Sequence, residues 1–178
     1  MNILGSIFFI AITITLIFAG AAKMISYSNT IYTIKKVGIF PEKISKAIGI
    51  FMPIFEIIIA VFLMVNPNKL TIVSTLGYLL FFIALNLKYA IEDKEIRCCC
   101  YGKFIESKLG IGGFIHYLYL LVLLIGGYAC INNSIIDILN QNGIYDYMIF
   151  IIVTVSICIM VNGFLIRSIV EKYRVRKW

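Results

Sequence analysis

Apolar residues in this chain run in blocks. Five near-continuous blocks occupy about residues 3–22, 48–65, 70–87, 111–131 and 147–166. Each is close to the roughly 18–20 residues that a helix needs to cross the hydrocarbon core of a bilayer. Hydrocarbon offers no partner to backbone N–H and C=O groups, so each block is predicted to be a helix. The longest polar stretches, residues 23–47 and 88–110, are read as loops, and little is left over for a soluble domain. The expected fold class is all-α: a polytopic transmembrane helical bundle.

Composition agrees. The chain is 61% hydrophobic with a mean hydropathy of +0.98, against about 45–50% apolar residues in ordinary soluble domains. The first block ends in Ala19-Gly20-Ala21-Ala22, which looks like a leader cleavage site. It has no preceding Lys or Arg and is longer than a usual leader core, so it is read as a retained helix.

The formal net charge is +7. No phosphate-cradling glycine loop or basic repeat accompanies it, so nucleic acid is not expected as a partner. The Lys and Arg residues flank the blocks unevenly. From the N-terminus, the successive connections and the tail carry 0, 5, 1, 5, 0 and 5 of them. By the positive-inside rule this alternation puts the N-terminus outside and the C-terminus in the cytoplasm. The composition, rich in Ile, Lys and Asn, suggests an AT-rich genome, so a bacterial plasma membrane is expected. Whichever face is which, alternating helices bring residues 23–47, residues 88–110 and the basic tail to one end of the bundle. Lys23, Glu56, Asn86 and His116 fall at or near that end.

Glu56, in Pro53-Ile54-Phe55-Glu56, is an acid within an apolar block. An unpaired carboxylate there is costly, so it should face the bundle interior with a partner. It is either a proton-handling or ligand-contacting acid, or one half of a structural ion pair with Lys23. His116, the one histidine, could shuttle protons, ligate a metal or tune a thiolate; the plainer reading is an interfacial histidine bonded to backbone. Tyr101, Tyr117 and Tyr119 read as an interfacial aromatic belt. Asn86 and Asn162 read as interhelical hydrogen-bond glue. Cys130 and Cys158 read as small hydrophobes.

The stretch Arg97-Cys98-Cys99-Cys100-Tyr101-Gly102 is different. Three thiols stand in a charged loop with Arg97 before them and Lys103 after, and nearby positive charge favours the thiolate. Adjacent cysteines close a strained ring, whereas Cys98 and Cys100 can close more readily into an exchangeable disulfide. Thiolates also select copper(I) or zinc, though zinc sites use four ligands at wider spacing. Redox, metal-binding and incidental readings all remain open on the residues alone.

Several pieces together resemble the methylamine-utilisation MauE family, within the broader DoxX-like membrane proteins. Cys98-x-Cys100-Tyr101-Gly102 resembles the family's Cys-x-Cys-aromatic-Gly motif. Phe18-x-Gly20-x-x-Lys23 resembles the end of its first helix, Gly38-Ile39-Phe40-Pro41 the following turn, and Pro53-x-x-Glu56 the second-helix acid. They occur in order over about residues 10–130. Three features differ. Cys99 stands where the family has a small residue, His116 stands near the place of an Arg-Asn pair, and a fifth helix and basic tail are added.

The resemblance implies a DoxX-like four-helix core over residues 1–131, with residues 132–178 as the extra transmembrane helix and basic tail. It implies a thiol-disulfide redox accessory role in maturing exported proteins, beside a thioredoxin-like partner, with methylamine metabolism as the founding role. Related membrane proteins hand electrons to quinone, which offers a quinone by analogy only. In this reading Cys98 and Cys100 exchange disulfides, Arg97 favours the thiolate, and Glu56 or His116 manages protons. No metal or other cofactor is expected. The alternative is a non-enzymatic accessory, such as an immunity or transport-associated subunit, whose cysteines are incidental or bind metal. One tension is built in: disulfide chemistry belongs outside the cytoplasm, whereas the charges put the cysteine loop inside.

Overall fold

The computed structural model describes residues 3–38, 41–92, 97–98, 107–130 and 146–175. Its elements in chain order are α1 (Ile3–Ile25), α2 (Tyr27–Val37), α3 (Glu42–Val65), α4 (Lys69–Ile91), the two-residue strands β1 (Arg97–Cys98) and β2 (Ser107–Lys108), α5 (Ile111–Cys130) and α6 (Asp146–Val175). Five of the helices, all but α2, are long and apolar enough to cross a membrane. The chain is a multi-pass membrane protein built as an all-α bundle, as the apolar blocks predict.

Helix α1 is central. It packs against α3, α5 and α6, while α4 packs chiefly on α5. Phe9, Ile12 and Leu16 of α1 are fully buried with Leu63, Leu79, Leu120 and Leu124 from three other helices. Lipid tails are as apolar as leucine, so between membrane helices close packing matters more than solvent exclusion. Small residues permit it. A Cβ on Gly20 would lie 3.0 Å from the Pro53 carbonyl oxygen and 2.7 Å from Ile57, so α1 and α3 touch there nearly backbone to backbone. Pro53 does not interrupt α3, which runs unbroken across it.

The polar stretch read as one loop contains a helix. α2 follows α1 after a one-residue break at Ser26. Its inner face carries Thr30 and Thr33, and its outer face Tyr27, Tyr32, Lys35 and Lys36. Gly38 ends it in the left-handed conformation (φ 70°) that glycine adopts without cost. α3 then starts at Glu42, some six residues before the apolar block does. The pattern was misread because α2 buries threonines rather than aliphatic side chains, and an apolar-block reading is blind to that.

Helix α2 spans the end of the bundle. It leaves α1 at Ile25 and crosses α3 where Ile31 sits against Gly49. At α4 the Val37 carbonyl accepts a 2.8 Å hydrogen bond from the Tyr89 hydroxyl. Beside it lies the β1–β2 pair, antiparallel with Arg97 opposite Lys108 and Cys98 opposite Ser107.

Candidate functional site

Lys23 stands near the C-terminal end of α1. Side chains on a helix lean toward its N-terminus, so the long Lys23 chain is directed back into the bundle. Glu56, on the antiparallel α3, leans the opposite way, toward the same end. The two meet: Lys23 Nζ lies 2.5 Å from Glu56 Oε2, with side chains only 2% and 1% exposed. Nζ also reaches the Tyr78 hydroxyl at 3.5 Å and lies over the Phe82 ring, 5.6 Å from its centroid. The ammonium therefore has a carboxylate, a phenol and a ring face around it, the multiple contacts that a buried charge needs. Of the two readings of Glu56, the ion pair with Lys23 is the one realised as a contact.

Aromatic packing extends from this pair. Phe82 is stacked on Tyr117 with centroids 4.9 Å apart, so Tyr117 is a core residue of α5 rather than part of an interfacial belt. Tyr119 donates to the Ile159 carbonyl at 3.0 Å, tying α5 to α6. His116 is 1% exposed. Its Nδ1 lies 3.3 Å from the Gly163 carbonyl oxygen; a carbonyl only accepts, so the bond requires the proton on Nδ1. The ring stacks on Phe164, with centroids 5.5 Å apart. His116 is thus backbone-bonded, as in its plainer reading, but buried between helices instead of at the interface.

Where β2 leads into α5, two glycines receive side chains from other helices. Asn86 of α4 donates through Nδ2 to the Phe82 carbonyl at 2.8 Å and accepts from Gly110 N at 3.3 Å. It fills the space over Gly113, where a Cβ would lie 2.0 Å from Asn86 Oδ1. Glu171 of α6 fills the space over Gly112, where a Cβ would lie 2.5 Å from its Cγ. Arg167, 2% exposed, donates from Nε to Glu171 Oε1 at 3.0 Å. A small apolar cluster of Ala19, Tyr89 and Leu109, with Val37 and Phe164 against it, joins α1, α2, α4, α6 and the residue after β2.

The structure brings Lys23 and Glu56 into contact and puts Asn86 and His116 at the same end, His116 engaged with α6. Arg97 and Cys98 are described through their backbone pairing at that end; Cys99, Cys100 and Tyr101 lie outside the described residues. Asn162 is exposed and donates to Cys158 O of its own helix, so it is not interhelical glue. Sequence reasoning missed Tyr78 and Phe82, which carry no charge to mark them. It also missed Arg167, which had been counted with the basic tail. The Arg167–Glu171 spacing of four residues was the available signal, since i,i+4 charges face one another on a helix.

A family model described as methylamine utilisation protein MauE matches residues 1–130. Neither the comparison with curated proteins nor that with solved structures gives a match.

Proposed function

The chain belongs to the MauE family, and from that premise we propose that it is a thiol-disulfide redox accessory of a bacterial plasma membrane, acting on a thioredoxin-like partner. The observation that carries this reading is the β1–β2 pairing of Cys98 with Ser107. Through β2 and the Gly110–Asn86 bond it ties Cys98, the first cysteine of the Cys98-x-Cys100 motif, to the end of α4. Cys98 and Cys100 are the exchanging pair, and Arg97 favours their thiolates.

Exchange proceeds in two attacks. One thiolate displaces a sulfur from the partner's disulfide, giving a mixed disulfide. The second cysteine then displaces the remaining partner sulfur. Two electrons pass to the partner, which becomes a dithiol and takes up the two protons that Cys98 and Cys100 lose. This reading requires the face that carries the cysteines to be the outer one, opposite to the orientation that the charge pattern gives.

The test is thiol labelling of intact cells with a membrane-impermeant reagent, before and after reduction, comparing wild type with Cys98→Ser and Cys100→Ser. Labelling that rises on reduction in wild type, with no such rise in either single variant, supports an external exchanging disulfide. Free thiols that label only after lysis, together with no mixed disulfide trapped by either single variant, would overturn the redox reading.

A further inference from the structure

The outer surface of α2 and the first turns of α3 has no part in the redox reading. Tyr27 and Tyr32 are 58% and 63% exposed. Lys36, one turn beyond Tyr32, lies over its ring at 5.9 Å. Lys35 is bridged to Glu42 across the α2–α3 turn. Lys43 and Lys46, on the first turns of α3, are exposed as well. Four lysines thus gather at one turn around a single described carboxylate, Glu42. The neighbouring exposed side chains Met24, Ile25 and Ile44 are apolar.

This surface sits where the membrane ends. α2 links the end of one spanning helix to the start of another, so its outer face meets headgroups rather than acyl chains. Tyrosines suit that depth, with a ring toward the apolar side and a hydroxyl toward water. Lysine ammoniums on flexible stems reach phosphates from it. A basic, aromatic helix of this kind binds in the interface and responds to lipid charge.

We propose that the α2–α3 turn is a docking surface for anionic phospholipid headgroups, with Lys36, Lys43 and Lys46 contacting the phosphates and Tyr27 and Tyr32 setting the depth. Charge complementarity selects this occupant: a cluster that is net positive and fixed at headgroup level draws an anionic lipid over a zwitterionic one. The argument holds for either leaflet.

The full chain, purified in a neutral detergent, is titrated with phosphatidylglycerol or phosphatidylcholine, and bound lipid is counted by native mass spectrometry. Wild type should bind phosphatidylglycerol more tightly. The variant Lys36→Gln/Lys43→Gln/Lys46→Gln should lose the preference, by roughly fivefold in affinity for each lysine removed. Lys69→Gln, at the opposite end, should keep it, and so should replacing the three lysines by arginine. Should the triple glutamine variant not fold, Lys36→Gln alone should show the fivefold loss. Equal binding of the two lipids, an undiminished preference in the glutamine variants, or displacement of the lipid by millimolar inorganic phosphate would overturn the proposal.

Discussion

Replacing Glu56 by Gln keeps the shape of the site and removes its negative charge. The Lys23 ammonium then remains among Tyr78, Phe82 and the core with nothing to balance it. Removing one partner of a buried pair costs about 3–5 kcal/mol. The expected loss for Glu56→Gln is therefore about 3–5 kcal/mol near neutral pH. The double variant Lys23→Met/Glu56→Leu removes both charges at similar volume and should recover most of the loss, since replacing a whole buried pair by apolar groups is often neutral or better. The assay is reversible unfolding of the purified chain in mixed micelles, followed by circular dichroism, for wild type, both single variants and the double variant at pH 7. A loss below about 1 kcal/mol for Glu56→Gln, or a double variant no more stable than the singles, would refute the claim that two charges are held in that interior.

Three further outcomes follow from the same contacts. Gly113→Ala should cost about 1–3 kcal/mol in the same unfolding assay, because its methyl group would overlap Asn86 Oδ1. Gly112→Ala should be destabilising in the wild-type chain and cost much less in a Glu171→Ala background, since Glu171 is the side chain over that glycine; Glu171→Ala itself strands the buried Arg167, so a double-mutant cycle isolates the coupling. Tyr119→Phe removes one interhelical hydrogen bond and should cost only about 0.6 kcal/mol, the average for such bonds in a membrane bundle.

What the sequence makes legible depends on the kind of signal a residue leaves. The spans are plain because crossing hydrocarbon demands long apolar runs, and no other requirement produces them. Glu56 stands out because a charge in such a run is rare, and Lys23 because it closes one. Tyr78 and Phe82 leave no mark: a tyrosine and a phenylalanine belong in an apolar block whether they face lipid or surround an ammonium. Which face they occupy is decided by helix rotation, and that is set by the neighbouring helices. Arg167 misled for the opposite reason. A cation just past an apolar block reads as a topology signal, yet α6 continues to Val175 and keeps the guanidinium buried and paired with Glu171. Helix α2 was invisible because its buried face is built from threonines, whose hydroxyls bond to backbone carbonyls within the helix or just before it.

The hydrogen bond from Ser156 to the Ile7 carbonyl joins residues 149 positions apart, and it sets an order for biosynthesis. α1 enters the bilayer well before α6 is made. Its early partner is α3, and Lys23 can be neutralised as soon as Glu56 arrives, which lets a charged helix end settle while the rest is still being translated. The face of α1 that receives α6 must wait, covered by lipid or by the insertion machinery. A ribosome paused before α6 emerges would therefore hold a chain whose ion pair is closed and whose central helix is still bare on one side.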